Sequence, residues 1–257
     1  MRFGLIVRND SHSDSVARYI KEQCLRIGWI FDDAAPELLI SIGGDGTLLR
    51  GIHHYIDHLN RISVVGIHTG TLGFYTDYTQ EEVDTFIHDI QFHEVQYEEM
   101  PLLEMQIDDS SDRLYALNEM RIESVSRTLS LDVSIDGECF EHCTGSGICI
   151  STQAGSTAIN RALQGAVIDD GLRVLQLCEI MPISHKNHHS LRNPYIMRLD
   201  RRIEVQSDSF ISARVCYDHL DRSLDQAKHL LIQTSQKKVR FARYRQYSYL
   251  KRLKNLY

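Results

Sequence analysis

The first hundred residues alternate between short apolar runs and longer stretches whose apolar positions recur every three or four residues. The short runs predict buried strands at residues 3–7, 38–42 and 62–66, and the longer stretches predict helices at residues 15–27, 47–56 and 81–90. Thr79 and Glu82 have the spacing of a capping box before the third helix. Alternation of this kind predicts a parallel sheet covered by helices.

From about residue 100 the pattern changes to strict alternation of apolar and polar positions, as at residues 103–107 and 131–137. This period of two, with Asp-Gly and Asp-Ser turns, predicts antiparallel sheet. A short helix is expected after Gly155, and further strands are predicted at residues 174–180, 195–199, 203–207, 213–217 and 230–233. We therefore expect an α/β N-terminal domain with a parallel sheet at residues 1–100 and a β-rich, antiparallel α+β domain at residues 101–236.

A glycine-rich turn, Gly43-Gly44-Asp45-Gly46-Thr47, separates the second predicted strand from the helix that follows. Glycines allow close approach of backbone to a ligand, and the amides at a helix N-terminus favour phosphate. Asp45 would repel phosphate unless a cation lies between them, or unless Asp45 faces a hydroxyl as its general base. Both roles indicate phosphoryl transfer. The alternative is that the glycines serve only the backbone of a tight turn between strand and helix. The spacing matches neither the phosphate-loop motif nor the dinucleotide fingerprint.

Composition narrows the classes of function. With 257 residues, of which 42% are hydrophobic, the chain is long enough for one large domain or two modest ones. A formal net charge of -7 disfavours general affinity for nucleic acid. The apolar run at the N-terminus is too short for a signal peptide, and no run approaches the roughly 20 residues that span a bilayer. We expect a cytoplasmic protein with neither nucleic-acid nor membrane partners.

The groups of cysteines and histidines that are adjacent in the sequence do not predict a metal site. Cys139 and Cys143 lack a second ligand pair, and the histidine-rich residues 185–189 are typical of an exposed polar loop. No metal is assigned to these groups or to the histidines at positions 53, 54 and 58. Apolar neighbours predict core packing for four cysteines, Cys24, Cys149, Cys178 and Cys216.

Residues 43–49 resemble a motif shared by NAD kinases, diacylglycerol and sphingosine kinases, and 6-phosphofructokinases. Residues 66–74 then resemble the NAD kinase element Gly-x-Asn/His-x-Gly-x-Leu-Gly-Phe, which lipid kinases do not carry in this form. Asn118-Glu119 is similar to the family's Asn-Glu pair, and residues 151–158 resemble its Ser-Thr-Pro-Thr-Gly-Ser-Thr-Ala stretch. Because the motifs occur in the family's order and residues 239–245 also match, the chain is identified as a member of the NAD kinase family, of the Gram-positive bacterial type.

The resemblance implies transfer of the terminal phosphoryl group of ATP, or of polyphosphate, to the 2′-hydroxyl of the adenosine ribose of NAD, with Mg²⁺ or another divalent cation. Asp45 is the expected general base. The phosphates would lie against Gly43, Gly44, Gly46 and Thr47. The expected contacts with NAD come from Asp45, Gly46, Phe74, Asn118, Glu119, Thr157, Ala158, Asp218 and His219. The family also implies a homo-oligomer, which we expect to be a tetramer whose β-rich domains complete one another's sites.

Departures from the family pattern fall at or near the third motif. The substituted positions are Ser146 for Asp, Gln153 for Pro, Ala154 for Thr or Ser, Ile159 for Tyr, and Gln164-Gly165 for Gly-Gly. A lost hydroxyl or carboxylate removes roughly 1–3 kcal/mol of polar contact if the position is buried in the complex. NAD affinity, or the choice between NAD and NADH, therefore stays open. Two alternatives are a dinucleotide-binding regulator with weak or lost turnover and another kinase of the superfamily that acts on a lipid or sugar.

The C-terminal segment, residues 237–257, mixes Lys and Arg with Tyr and contains no acid. Such mixtures occur in segments that contact RNA or membranes. The alternative is a final strand followed by an amphipathic helix with an apolar stripe of Tyr247, Leu250, Leu253 and Leu256. The family resemblance favours this alternative, in which the segment returns to pack on the first domain.

Overall fold

Helices and strands alternate through the first hundred residues of the computed structural model, which describes residues 1–70, 73–184 and 190–254. The chain forms two compact units, of which unit 1 contains Met1–Met100 with Lys237–Tyr257 and unit 2 contains Pro101–Gln236. The elements that begin in the first hundred residues are β1 (Arg2–Val7), α1 (Ser11–Arg26), β2 (Ile30–Phe31), β3 (Leu38–Ile42), α2 (Asp45–His54), β4 (Ser63–His68), β5 (Tyr78–Thr79), α3 (Val83–Phe92) and β6 (Gln96–Ile107).

The rest of the chain is mostly strand. Its elements are β7 (Arg113–Ala116), β8 (Glu119–Glu123), β9 (Leu129–Ile135), β10 (Glu138–Gly145), β11 (Gly147–Thr152), α4 (Ile159–Ala162), β12 (Val174–Ile180), β13 (Tyr195–Arg198), β14 (Ile203–Gln206), β15 (Arg214–Tyr217), β16 (Leu220–Ser223), β17 (His229–Arg243) and α5 (Tyr249–Leu253). Single turns of 3₁₀ helix lie at Gln80–Glu82 and Ala154–Thr157.

The sheet of unit 1 is parallel. β1 lies between β2 and β3, β3 pairs with β4, and residues Arg240 and Phe241 of β17 pair in parallel with the start of β4. Every residue of β3 and β4 is buried, as expected where helices cover both faces of a parallel sheet. Side chains such as Phe3, Ile20 and Phe86 fill the core between sheet and helices.

Unit 2 is built from antiparallel pairs. One sheet has the order β13-β12-β11-β8-β15-β16, and β14 pairs with both β9 and β17. Leu131, Ile150 and Val205 belong to one hydrophobic core to which these strands contribute. Parallel sheet in unit 1 and antiparallel sheet in unit 2 confirm the predicted fold class.

Element boundaries differ from the prediction where local polar contacts decide them. Helix α1 begins at Ser11, four residues earlier than predicted, because the side chain of Asp10 accepts a hydrogen bond from the amide of Ser13 at 2.9 Å. The predicted capping box is confirmed, since Thr79 and Glu82 exchange both bonds. Strands β10 and β11 were not predicted.

The predicted apolar stripe of the C-terminal helix is wrong at Leu250, while Tyr247 and Leu253 are half-buried. Leu250 is 67% exposed, whereas Tyr249 and Arg252 are buried. Leu256 lies outside the described residues. The guanidinium of Arg252 reaches the carbonyl of Thr76, and this interaction decides which face of α5 is buried.

One of the four cysteines expected in the core was assigned wrongly. Cys216 is only half-buried, and its thiol donates to Oε1 of Glu123 at 3.2 Å. The thiols of Cys24, Cys149 and Cys178 are buried as predicted. No helix in the described part of the chain is both long enough and apolar enough to cross a membrane.

Candidate active site

The glycine-rich turn lies where β3 ends and α2 begins, at the carboxyl end of the parallel sheet of unit 1. Gly43 is buried with φ of 149°, and an added Cβ would overlap the side chains of Thr47 and Arg8. Gly44 is the N-cap residue of α2 and provides no side-chain bond to the first turn. The N-terminal amides of a ten-residue helix therefore face this turn without a side-chain cap, as in phosphate-binding helices.

Asp45 is held by the backbone that follows the second glycine motif. Its Oδ2 accepts from the amide of Phe74 at 2.8 Å and its Oδ1 accepts from the amide of Tyr75 at 3.0 Å. An added Cβ on Gly73 would fall on the carboxyl group of Asp45, so glycine is needed for this approach. The two amides fix the plane of the carboxylate.

Burial raises the pKa of Asp45, while the bonds from the amides of Phe74 and Tyr75 act in the opposite direction. A carboxylate with a raised pKa is a better proton acceptor than an exposed one, provided that it stays ionised. The geometry therefore suits Asp45 to general base catalysis.

His68, at the end of β4, is 2% exposed and received no role in the sequence analysis beyond its place in the second motif. Its Nδ1 accepts from the amide of Gly70 at 3.0 Å, which puts the proton of the neutral ring on Nε2. Burial lowers the pKa of His68, with the charge of Asp45 opposing the shift. Among the described residues Nε2 has no hydrogen-bond partner.

Residues of the C-terminal segment stabilise residues 74–77, the stretch whose first two amides bind Asp45. The hydroxyl of Tyr247 donates to the carbonyl of Phe74 at 2.9 Å. Nη1 of Arg243 donates to both carboxylate oxygens of Asp77 at 2.8 Å, and this ion pair is almost fully buried. The basic character of the segment is thus used in part to position residues 74–77.

Asn118 and Glu119 lie at the start of β8 in unit 2, and Asp218 lies in the β15–β16 turn. The two carboxylate oxygens of Asp218 accept from the amides of Leu117 and Asn118, each at 2.8 Å. Asp218 has φ of 52°, a conformation that asparagine and aspartate tolerate better than most residues. Its carboxylate therefore positions the backbone of Asn118.

Glu119 is 4% exposed, and its Oε2 has no hydrogen-bond partner in the described part of the chain. Burial, followed by the nearby charge of Asp218, raises the pKa of Glu119 to about 8. The carboxyl group is therefore mostly protonated at neutral pH and can donate a hydrogen bond as well as accept one.

Comparison with known proteins decides the family. Residues 6–95 match the family described as ATP-NAD kinase N-terminal domain. The chain is 35% identical over 262 residues to NAD kinase 1 of Bacillus subtilis, covering 99% of this chain and 97% of the relative. It is 34% identical over 259 residues to NAD kinase 1 of Bacillus cereus, covering 99% and 98%. The chain belongs to the NAD kinase family. This confirms the family predicted from the motifs.

Solved NAD kinase structures share the fold. A yeast NADH kinase complexed with NADH superposes with a TM-score of 0.81 at 16% identity, covering all of this chain and 87% of the other. An NAD kinase from Archaeoglobus fulgidus in complex with ATP gives 0.76 at 23% identity, covering 100% and 97%. At these identities the likeness concerns the fold.

The third family motif contains the 3₁₀ turn and ends where the short helix α4 begins. The hydroxyl of Thr157 donates to the carbonyl of Ala154 at 3.4 Å, and Ala158 is the N-cap residue of α4. Ile159, where NAD kinases usually carry Tyr, is 36% exposed. Gln153 stands in place of the usual Pro, and its side-chain Nε2 donates to the carbonyl of Ile168 at 3.2 Å.

Three other positions singled out from the sequence lie in turns of unit 2. Ser146 connects β10 to β11, and its amide donates to the carbonyl of Ile180 at 2.9 Å. Gln164 adopts φ of 63°, which explains why NAD kinases usually have glycine there. His219 is exposed in the turn beside Asp218.

Sequence reasoning missed the polar residues that brace the Asn-Glu pair. The hydroxyl of Thr152 donates to the carbonyl of Leu117 at 2.6 Å and accepts from the amide of Gly155 at 3.2 Å. Gly155 is needed because an added Cβ would meet the carbonyl of Asn118. The signal available in the sequence was Thr152 itself, which lies in the third family motif shortly after the apolar run of residues 148–150.

The described residues do not include residues 71–72, within the second motif, or the histidine-rich residues 185–189.

Proposed function

We propose that this protein transfers the terminal phosphoryl group of ATP to the 2′-hydroxyl of the adenosine ribose of NAD, giving NADP and ADP. The observation that carries the proposal is the carboxylate of Asp45, fixed by the amides of Phe74 and Tyr75 beside an uncapped helix N-terminus. A base and a phosphate-binding turn are two of the elements that this reaction needs. The name of the family, ATP-NAD kinase, and the Archaeoglobus complex with ATP support the same acceptor and donor.

In the proposed step, Asp45 accepts the proton of the 2′-hydroxyl while the ribose 2′-oxygen forms a bond to the terminal phosphorus of ATP. The bond from that phosphorus to the bridging oxygen breaks, and ADP leaves with the electron pair. General base catalysis of this type contributes about 10²–10⁴-fold. The raised pKa that burial imposes on Asp45 makes it a stronger acceptor.

Phosphate oxygens are proposed to lie against residues 43–47. The amides of the turn and the dipole of α2 stabilise negative charge there. Mg²⁺ commonly binds through substrate phosphates with one or two carboxylates, and each oxygen of Asp45 keeps acceptor capacity after its single amide bond. Asp45 and the phosphates therefore fit such an ion, which when bound would neutralise charge on the transferred group.

For the dinucleotide, we propose that the side-chain amide of Asn118 pairs with an adenine edge and that Glu119 bonds ribose hydroxyls. The braces on Asn118 from Asp218 and Thr152 support this role, because they fix its backbone before a ligand binds. Phe74 is proposed as an apolar wall. The further contacts proposed from the family pattern are Thr157, Ala158, His219 and the substituted positions Ser146, Ala154 and Ile159.

The test is NADP formation from NAD, ATP and Mg²⁺ by purified protein, read through an NADP-specific dehydrogenase. Asp45→Asn should lower kcat by about 10²–10⁴-fold with little change in KM, because the amide cannot accept the proton. Asp14→Asn is the matched control, since Asp14 also lies in the first turn of a helix, α1, and should keep parental activity.

Full activity in Asp45→Asn would refute the assignment of the base. A parent that binds NAD but forms no NADP would instead favour the dinucleotide-binding regulator.

Light scattering tests the proposed homotetramer, and a fully active monomer would refute the sharing of sites between copies.

A further inference from the structure

Two histidines and a carboxylate meet at the C-terminal end of α3. Nδ1 of His88 lies 3.4 Å from Oδ1 of Asp89, and Nδ1 of His93 lies 3.3 Å from the same oxygen. One ligand atom from each of the three residues lies within 4.8 Å of the other two. The side chain of Asp89 is 6% exposed, whereas those of His88 and His93 are 60% and 51% exposed. Both imidazoles are therefore open to solvent above a buried carboxylate.

The two nitrogen–oxygen separations match those around a tetrahedral zinc ion. Zinc binds imidazole nitrogen at about 2.0–2.1 Å and carboxylate oxygen at about 2.0–2.2 Å, which places neighbouring ligand atoms about 3.3–3.5 Å apart. The nitrogen–oxygen distances of 3.4 Å and 3.3 Å are in this range. Two imidazoles with one carboxylate suit zinc, nickel or copper, whereas Mg²⁺ and Ca²⁺ prefer oxygen ligands.

The carboxylate is already oriented from behind. The hydroxyl of Tyr78 donates to Oδ2 of Asp89 at 2.8 Å, which leaves Oδ1 for the two histidines. The amide of His93, the C-cap residue of α3, donates to the main-chain carbonyl of Asp89 at 2.9 Å. Partners of this kind fix metal ligands in known sites, and a helix C-terminus favours positive charge.

We propose that His88, Asp89 and His93 form a binding site for a zinc-class transition-metal ion, with water completing the coordination. Neither the family nor the reaction proposed above assigns these residues, and the site is independent of Asp45. Without an ion, the same contacts would be two histidines sharing hydrogen bonds with one carboxylate, and the test separates these cases.

The experiment is calorimetric titration of Zn²⁺ into chelator-treated, tag-free, full-length protein. We expect one equivalent of Zn²⁺ whose affinity falls at least about tenfold in His88→Ala and in His93→Ala. His142→Ala is the matched control, because His142 Nδ1 lies 2.6 Å from an exposed carboxylate of Asp132, and it should keep the parental affinity. Circular dichroism checks that each variant is folded.

Other donors, such as the histidine-rich residues 185–189 and the six cysteines, are present in both the parent and the double variant. A difference between the parent and the double variant His88→Ala/His93→Ala therefore isolates the cluster. Tyr78→Phe should weaken Zn²⁺ binding about 10–100-fold if its hydroxyl orients Asp89 for a metal. Equal stoichiometry and affinity in the parent and the double variant would overturn the proposal.

Discussion

Replacing Gly73 by alanine tests whether the position of the Asp45 carboxylate controls catalysis. The three atoms nearest to an added Cβ are the carboxyl carbon and both carboxyl oxygens of Asp45, all closer than real Cβ contacts allow. The backbone of Gly73 is outside the left-handed region, so the penalty is steric. The carboxylate has to move away from the amides of Phe74 and Tyr75 that hold it.

The magnitude follows from the role of the base. If the displaced carboxylate no longer reaches the hydroxyl, kcat should fall by about 10²–10⁴-fold. This corresponds to roughly 3–5 kcal/mol of lost transition-state stabilisation. Each hydrogen bond to a charged group contributes about 1.5–3 kcal/mol to stability, so the unfolding free energy should fall as well.

The assay is coupled NADP formation at saturating NAD and ATP, with thermal unfolding measured on the same samples. Gly70→Ala is the control from the same loop, because its nearest contact would be the guanidinium of Arg8 at an ordinary 3.7 Å. We expect parental kcat in the control. A Gly73→Ala variant with kcat within threefold of the parent would refute the reasoning.

Three further predictions concern stability. Arg243→Met leaves the buried carboxylate of Asp77 without its bidentate partner and should lower the free energy of unfolding by about 3–5 kcal/mol in chemical denaturation. Arg198→Met, which breaks an exposed ion pair, should lower it by less than about 1 kcal/mol, and equal losses would contradict the prediction. The pKa of Glu119 is about 8 in the folded protein, against 4.5 for an exposed glutamate, so between these pH values the folded state binds a proton that the unfolded state has lost. Stability should therefore fall as pH rises from 4.5 to 8. Glu119→Gln should flatten this dependence of stability on pH, and an unchanged slope would refute the prediction. Gln164→Gly relieves a left-handed backbone and should stabilise by about 1 kcal/mol, so a lower Tm would contradict it.

The core strands of unit 1 could be predicted closely. Strand β3 has the predicted bounds because a strand buried on both faces leaves a continuous apolar run. Strands β10 and β11 were missed because neither has a clear apolar pattern. Polar residues interrupt the alternation in β10, and β11, although fully buried, has an apolar run of only three residues, 148–150, between Gly147 and Ser151.

The C-terminal helix shows how a distant partner overrides a local pattern. The spacing of leucines predicted an apolar face, but Arg252 is buried instead. Its guanidinium meets the carboxylate of Asp77, 175 residues away in the chain. Periodicity reports on neighbours along the helix and contains no information on which polar group the fold brings beside it.

Local patterns were enough to predict the family, the parallel-then-antiparallel architecture and Asp45 as the candidate base, because strand periods and glycine turns are local properties. The fold determines how that carboxylate is held, through amides about 30 residues further along the chain. It likewise placed the carboxylate of Asp218 on the amide of Asn118, 100 residues away. Such contacts depend on which backbone groups lie close to a side chain in the folded protein. The order of residues along the chain does not contain the spatial distance between them.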